Sequence, residues 1–231
     1  MGQTRDMRIL SADDAATDVS PGSDVDEETL DALYAHDGPL LRLNFVTTLD
    51  GAATGSDGLS GSINSSADHR AFTAMRFAAD VLLVGAGTAR AEGYGSADMP
   101  LVVVSRRGHL PETLRGEPDV VLATTSAAGI DEEENTWLCG DETVDLAQVI
   151  ERARETFGPH VLCEGGPSLA ADLAGAGLVD ELGLSWTPQV VGGRRVDHPR
   201  ILDGDGVALR LSCRHLLEED GTLLGLWRVS R

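Results

Sequence analysis

Asp80-Val81-Leu82-Leu83-Val84-Gly85-Ala86-Gly87-Thr88-Ala89-Arg90-Ala91-Glu92 carries the clearest structural pattern in this chain. Its four consecutive apolar residues predict a strand buried on both faces, and the Gly-x-Gly after them predicts a tight turn. Glycine at the carboxyl end of a strand lets a ligand lie against bare backbone, where free N–H groups suit a phosphate. The turn lacks the third glycine of the dinucleotide-binding fingerprint, so a plain tight turn is an equal alternative.

The sequence on either side repeats this alternation of buried strand and amphipathic helix. Strands are predicted at residues 40–48, 100–107, 119–125 and 160–163, and helices at 66–79, 144–157 and 167–175. Such alternation predicts a mainly parallel sheet with helices on both faces.

The carboxyl-terminal part of the chain follows a different pattern. Residues 178–188, 207–217 and 223–229 are strand-like, and Glu219-Asp220-Gly221 joins the last two as a hairpin. The prediction is therefore one α/β domain whose mixed sheet ends in antiparallel strands. The hairpin and the short chain disfavour a dinucleotide-binding domain followed by a separate substrate domain.

Residues 1–37 are predicted to form an acidic amino-terminal arm, and residues 38–231 the domain itself. The arm has ten acids and two arginines. Within it, residues 24–35 fit a short helix that carries Leu30, Leu33 and Tyr34. We expect the rest of the arm to be a solvated leader or a partly ordered arm.

The charge balance restricts the partners of the chain. It has 38 Asp and Glu against 18 basic residues, all of them Arg, for a net charge of −20. Nucleic acids and anionic membranes bind clustered positive charge, so neither is expected as a partner. No stretch approaches the roughly 20 apolar residues that span a bilayer, and no secretory signal is evident. Cys139, Cys163 and Cys213 fit the reduced thiols of a cytoplasmic protein.

A second glycine-containing strand end, Glu164-Gly165-Gly166-Pro167, opens a predicted helix. Backbone N–H groups and the helix dipole favour a pyrophosphate there. Roughly 20 residues after the first glycine turn, an NAD-binding protein would show an acid for the ribose hydroxyls. Ser105-Arg106-Arg107 stands there instead. Arginine at this place suits a 2′-phosphate and so indicates NADP; two surface arginines are the alternative.

Two acids are candidates for proton chemistry. Asp50 and Glu164 each stand at a strand end beside glycine, where a turn-forming role for Asp50 or a helix-terminus role for Glu164 is the alternative. The six histidines are scattered, with neither a metal-ligand spacing nor a catalytic triad. No metal site is predicted.

Taken in order, these motifs resemble the reductase domain of bifunctional riboflavin biosynthesis enzymes, which has a dihydrofolate-reductase-like fold. The resemblance spans about Leu40 to Arg228. It rests on Thr48-Leu49-Asp50-Gly51, Arg76, Val84-Gly85-Ala86-Gly87-Thr88, Ser105-Arg106, Glu164-Gly165-Gly166-Pro167-Ser168, Val179-Asp180-Glu181-Leu182 and Val190-Val191-Gly192-Gly193.

The resemblance implies a three-layer sandwich. It also implies an NADPH-dependent reduction of 5-amino-6-(5-phosphoribosylamino)uracil that opens the ribose to a ribityl chain. It implies that NADPH is held by Gly85, Gly87, Thr88, Glu92, Ser105, Arg106, Gly165, Gly166, Pro167 and Ser168. It places Asn44, Ser60, Ile63, Asn64 and Arg76 on the substrate side, with Arg76 suited to the 5′-phosphate. Asp50 or Glu164 would be catalytic, and the protein would be a homodimer.

Two positions depart from the family pattern. Asn44 stands where the family usually has Lys, and Ser62 stands where an aromatic residue is often found. The resemblance does not extend to a zinc deaminase domain, so we expect no deamination. Because the substrate side has lost a charge and a stacking surface, reduction of another heterocycle such as dihydrofolate is an alternative. A non-catalytic NADP-binding protein is a second alternative.

Overall fold

Ten strands of the described residues form one sheet. The computed structural model describes residues 6–13, 19–36, 38–95, 99–192 and 198–230. The strands are β1 (Arg8–Ala12), β2 (Leu40–Thr48), β3 (Val81–Gly85), β4 (Leu101–Val104), β5 (Val120–Thr124), β6 (Thr136–Leu138), β7 (His160–Cys163), β8 (Glu181–Thr187), β9 (Leu211–Glu219) and β10 (Thr222–Val229). Their order across the sheet is β1-β9-β10-β8-β2-β7-β3-β4-β5-β6.

The sheet is mixed, as predicted. Pairings from β8 through β2 to β6 are parallel, whereas β10, β9 and β1 add antiparallel strands at the other edge. The hairpin predicted around Asp220 joins β9 to β10. Because β2, β7 and β3 are parallel neighbours, their carboxyl ends meet at one edge of the sheet.

Helices cover both faces and complete three layers. They are α1 (Glu27–Tyr34), α2 (Ser66–Phe77), α3 (Ala86–Ala91), α4 (Leu146–Phe157) and α5 (Pro167–Gly175). Apolar side chains of α1, α2 and α3 pack on one face, and those of α4 and α5 pack on the other. Side-chain caps begin three of them: Asp26 accepts from the Thr29 N–H, Ser65 from the Asp68 N–H, and Asp145 from the Gln148 N–H. Among these helices none has the length and apolar composition that crossing a bilayer needs.

The amino-terminal segment corrects one expectation. The helix predicted within 24–35 is α1, and Leu30 and Leu33 are fully buried. The solvated leader is wrong for residues 7–12, because Met7 and Ile9 are also fully buried and β1 pairs with β9. The abundance of acids concealed a short alternation of apolar residues. Asp14, Asp18 and Asp37 of the predicted arm lie outside the described residues.

Candidate active site

A cavity of about 560 Å³ opens where β2, β3 and β7 end. Strand β2, the loop after it, α2, α3 and the turn after β7 all contribute to its wall. Ten of the residues predicted for the site line it: Asn44, Ser60, Asn64, Arg76, Gly87, Thr88, Glu92, Glu164, Gly166 and Pro167. The fold therefore brings both predicted sides of the site, for cofactor and for substrate, to one space.

Glu164 is the most tightly held group of this cavity. It follows β7 directly, and its side chain is 3% exposed. Arg76, in the last turn of α2, donates from Nε to Oε1 at 2.6 Å and from Nη2 to Oε2 at 2.7 Å. The Tyr94 hydroxyl donates to Oε2 at 2.7 Å. Two charge-assisted bonds and a third donor fix the carboxylate in one orientation.

The electrostatics of this cluster favour a charged pair. Burial by itself would lower the pKa of Arg76, but the Glu164 carboxylate outweighs burial, and the pKa is raised. Burial, followed by the nearby Glu164 charge, raises the pKa of Tyr94, so its hydroxyl stays a donor. The Arg76 guanidinium carbon also lies 4.3 Å from the centre of the Phe72 ring, a cation–π contact that further restricts the side chain.

The glycines at the two strand ends touch each other. The Gly85 N–H donates to the Gly165 carbonyl at 2.8 Å, and a Cβ on Gly166 would lie 2.3 Å from Thr88 Oγ1. A side chain at Gly166 would displace the Thr88 hydroxyl, so close packing of the strand ends explains part of the glycine pattern. Gly87 differs, because a Cβ there would meet no described atom within 4 Å. Helix α5 begins beside this surface, and no side chain caps its amino end.

Residues 39–223 match the sequence pattern of the RibD C-terminal domain. The chain belongs to this family. The resemblance to riboflavin biosynthesis reductases inferred from the motifs is thereby confirmed.

Two archaeal relatives of this chain have the same name, 2,5-diamino-6-ribosylamino-4(3H)-pyrimidinone 5′-phosphate reductase. The one from Methanothermobacter thermautotrophicus is 30% identical over 211 residues, which cover 79% of this chain and 95% of the relative. The one from Archaeoglobus fulgidus is 26% identical over 193 residues, which cover 72% and 87%.

A solved structure confirms the fold of this RibD C-terminal domain. The crystal structure of a pyrimidine reductase-like protein from Corynebacterium diphtheriae superposes with a TM-score of 0.71 at 23% identity, and the match covers 84% of this chain and 92% of that protein. The predicted α/β sandwich, with a mixed and mainly parallel sheet that ends in an antiparallel hairpin, is therefore the observed architecture.

Several predicted cofactor residues lie beside the cavity and not in its wall. Ser105 and Arg106 follow β4, whose Val104 registers with Gly85, so they stand at the same sheet edge. Ser105 is buried and accepts from the His109 N–H, whereas Arg106 is exposed. Of the others, Gly85 and Gly165 form the strand-end contact, and Ser168 is exposed in the first turn of α5.

Asp50 does not line the cavity. Its carboxylate accepts from Thr48 Oγ1 at 2.5 Å, from the Gly192 N–H at 2.8 Å and from the Val191 N–H at 3.3 Å. The Thr48 hydrogen bond, and then the Gly192 bond, lower the pKa of Asp50. These contacts favour the turn-forming interpretation over a catalytic one. Gly193 of the same predicted motif lies outside the described residues.

Two more predicted residues shape the loop over the cavity. Glu92 Oε1 accepts from the Ser60 N–H at 2.9 Å, so the end of α3 ties down the Gly- and Ser-rich loop. Ile63 is 1% exposed and is absent from the cavity wall, and its carbonyl accepts from Gln189 Nε2 at 3.2 Å. Glu92 and Ile63 therefore position the loop that carries Ser60 and Asn64.

Among the cavity-wall residues that sequence reasoning missed are Asp68, His69, Phe72 and Tyr94. The spacing of Ser65 and Asp68 resembles a capping box, and Phe72 fits the apolar face of the helix predicted at 66–79. Tyr94 stands between two glycines, which indicates a loop. Only its aromatic ring in an otherwise small-residue loop could have marked it as functional.

Proposed function

We propose that the chain is an NADPH-dependent reductase of a phosphorylated ribosylaminopyrimidine in riboflavin biosynthesis. The observation that carries this proposal is the Arg76–Glu164–Tyr94 cluster, which faces the same cavity as the glycine-containing strand ends. Family membership and the names of the two archaeal relatives support it.

The residues at the sheet edge fit a nicotinamide dinucleotide. Gly87 has open space around it, and the uncapped amino end of α5 offers N–H groups to a diphosphate. Arg106, exposed after β4, would contact the 2′-phosphate that distinguishes NADPH from NADH. Bound there, the cofactor would supply a hydride to C1′ of the ribosylamino group; the C1′–O4′ bond would open and O4′ would take a proton, which leaves a ribityl chain.

Glu164 is the proposed catalytic residue on the substrate side. A carboxylate fixed by Arg76 and Tyr94 is oriented in advance to hold a substrate N–H or O–H and to exchange a proton there. Arg76 donates to Glu164 from Nε and Nη2, so Nη1 is the nitrogen that would contact a 5′-phosphate. Asn44, Ser60 and Asn64 complete the substrate wall.

We further propose that the protein is a homodimer, as inferred from the family. The supporting observation is the sheet face of β8–β10 that points away from α1 and α2. Trp186 and Trp227 meet there edge to face, with ring centres 5.1 Å apart, and Leu184, Leu216 and Leu223 flank them, all only half-buried. Covering this face with a second copy would bury these aromatic and aliphatic side chains.

Sedimentation of the wild type and of Trp227→Arg tests the proposed homodimer. A wild-type dimer that becomes a monomer in Trp227→Arg supports this face as the dimer interface.

The experiment that tests the activity follows the decrease in NADPH absorbance with three substrates in parallel. These are the 2,5-diaminopyrimidinone phosphate, its uracil counterpart and dihydrofolate. Turnover of either pyrimidine supports the proposal, and Glu164→Gln should then reduce kcat while NADPH still binds. Turnover of dihydrofolate alone, or NADPH binding without any turnover, would reject it in favour of one of the two alternatives.

A further inference from the structure

Asp68 is a buried acid of the cavity wall that has no role in the reaction proposed for Glu164 and Arg76. It lies in the first turn of α2, and the Ser65 hydroxyl accepts from its backbone N–H at 3.1 Å. Only 4% of the residue is exposed, yet it lines the cavity. Among the described residues no arginine forms an ion pair with it. A buried carboxyl group without a guanidinium partner costs stability, which makes a role in ligand binding the natural explanation.

Asp68 has two polar neighbours, Ser185 and His69. Ser185, 2% exposed on β8, hydrogen-bonds its carboxyl group. Burial raises the pKa of Asp68, whereas the Ser185 hydroxyl and the charge of His69 act in the opposite direction. Each carboxylate oxygen has two acceptor positions, so one serine hydroxyl leaves most of this capacity unused.

Asn44 supplies a second acceptor on the same wall. Ser185 registers with Val46 of β2, and Asn44 lies two residues before Val46 on the same face of that strand. Asn44 is 8% exposed, and its Oδ1 has no hydrogen-bond partner in the part of the chain that the structure describes. Asp68 and Asn44 therefore line the same cavity, and their oxygens suit a ligand edge made of N–H donors.

We propose that Asp68 distinguishes the substituent at C2 of the pyrimidine and selects a 2-amino substrate over a 2-oxo substrate. This inference rests on the proposed function. In a 2,5-diaminopyrimidinone the N3–H and the 2-amino group are adjacent donors, which the two oxygens of one carboxylate accept together. In the uracil counterpart a carbonyl replaces the amino group, so that two acceptors face each other. Sites that hydrogen-bond a substrate group discriminate strongly against the analogue that lacks it.

The test compares kcat/KM for the two pyrimidine phosphates in the wild type, Asp68→Asn and Ser185→Ala. We expect the wild type to prefer the 2-amino substrate by about 100-fold or more. Asp68→Asn has nearly the same shape, but its amide offers one acceptor and one donor, which match N3–H and a 2-carbonyl. This variant should lose or invert the preference. Ser185→Ala keeps the carboxylate and should keep the preference.

Equal use of the two pyrimidines by the wild type would overturn the assignment, as would a preference that survives in Asp68→Asn. If neither pyrimidine is reduced, the proposed function fails. Titration calorimetry of both pyrimidines without cofactor then decides the role of Asp68 separately. Tighter binding of the 2-amino compound that disappears in Asp68→Asn supports it, and equal affinities reject it. Should Asp68→Asn not fold, Asp68→Ala replaces it, with loss of the preference expected and its retention contradicting the assignment.

Discussion

Arg76 and Glu164 are joined side by side through two hydrogen bonds of 2.6 and 2.7 Å, although 88 residues separate them in the chain. The pair connects the last turn of α2 to the end of β7. The Glu164 side chain is 3% exposed, and Arg76 is the cation that pairs with it. The interaction therefore contributes to the fold as well as to the candidate active site.

Arg76→Ala should leave a buried carboxylate without its cation. The expected result is a loss of about 3 kcal/mol in the free energy of unfolding, together with a higher KM for the phosphorylated pyrimidine. NADPH affinity should stay nearly unchanged. Urea unfolding and steady-state kinetics measure these effects, with the exposed Arg115→Ala as the control.

The double variant Arg76→Ala/Glu164→Gln makes this prediction sharper. With both charges removed, part of the stability should return relative to Arg76→Ala alone, because no unpaired charge stays buried. A double variant less stable than Arg76→Ala, or a collapse of NADPH binding in the single variant, would contradict the assigned role of the pair.

Arg106→Ala should weaken NADPH much more than NADH, since only NADPH carries the 2′-phosphate. Loss of one charge-assisted hydrogen bond corresponds to about 1.5–3 kcal/mol, or roughly 10- to 100-fold in Kd. Fluorescence titration with both cofactors measures it. Arg107→Ala is the matched control from the adjacent position, and an equal loss for NADPH and NADH in Arg106→Ala would remove Arg106 from this role.

Glu92→Ala should loosen the loop over the cavity because the Ser60 N–H loses its acceptor. A missing hydrogen bond of about 1 kcal/mol predicts a roughly fivefold higher KM for the pyrimidine and faster proteolytic cleavage in residues 55–62. Glu92→Gln retains an acceptor oxygen and should behave more like the wild type. Identical kinetics and cleavage for all three proteins would show that the contact does not hold the loop.

His215 should make the fold sensitive to mild acid. It packs edge to face against Tyr34, with ring centres 4.9 Å apart, and neither ring nitrogen has a hydrogen-bond partner among the described residues. Burial, then the charges of Arg214 and Arg42, lower the pKa of His215 to about 3. The unfolded chain, with a His pKa near 6.5, therefore binds more protons than the native state below that pH, and stability falls as the pH falls toward 3.

His215→Leu should remove this contribution. Between pH 6.5 and 5 the wild type is expected to lose about 2 kcal/mol more than the variant in the free energy of unfolding. Urea unfolding across this range measures the difference, with exposed His109→Gln as the control. The same pH slope in wild type and His215→Leu would show that His215 is not the group responsible.

The elements of the fold were largely predictable because each carries a local pattern. Strand β2 and strand β7 have the predicted bounds, and the glycines and Pro167 located the ends of β3 and α5. Strand β1 was not predicted because its few apolar residues stand among acids. The strand with which it pairs, β9, lies some 200 residues later in the chain. Periodicity reports which face of a segment is apolar, but it does not report which distant segment covers that face.

The sequence predicted many residues of the candidate active site but not the contacts between them. Arg76 and Glu164 were both singled out, but their pairing joins a helix to a strand end and leaves no local signature. Asp68 shows the same limit, because a capping pattern explains its backbone contact and hides the side chain that faces the cavity. Asp50 is the converse case, since its prominent motif serves a turn.

The edge-to-face pair of Trp186 and Trp227 allows the β8–β10 face to be followed by intrinsic tryptophan fluorescence. The chain has three tryptophans, and the third, Trp137, is 3% exposed beneath the Arg152 guanidinium. Water-soluble quenchers will therefore reach the emission of the pair before that of Trp137. Whatever covers the open face of β8–β10 will shield the pair and shift its emission to shorter wavelengths, so assembly can be followed in the unlabelled protein.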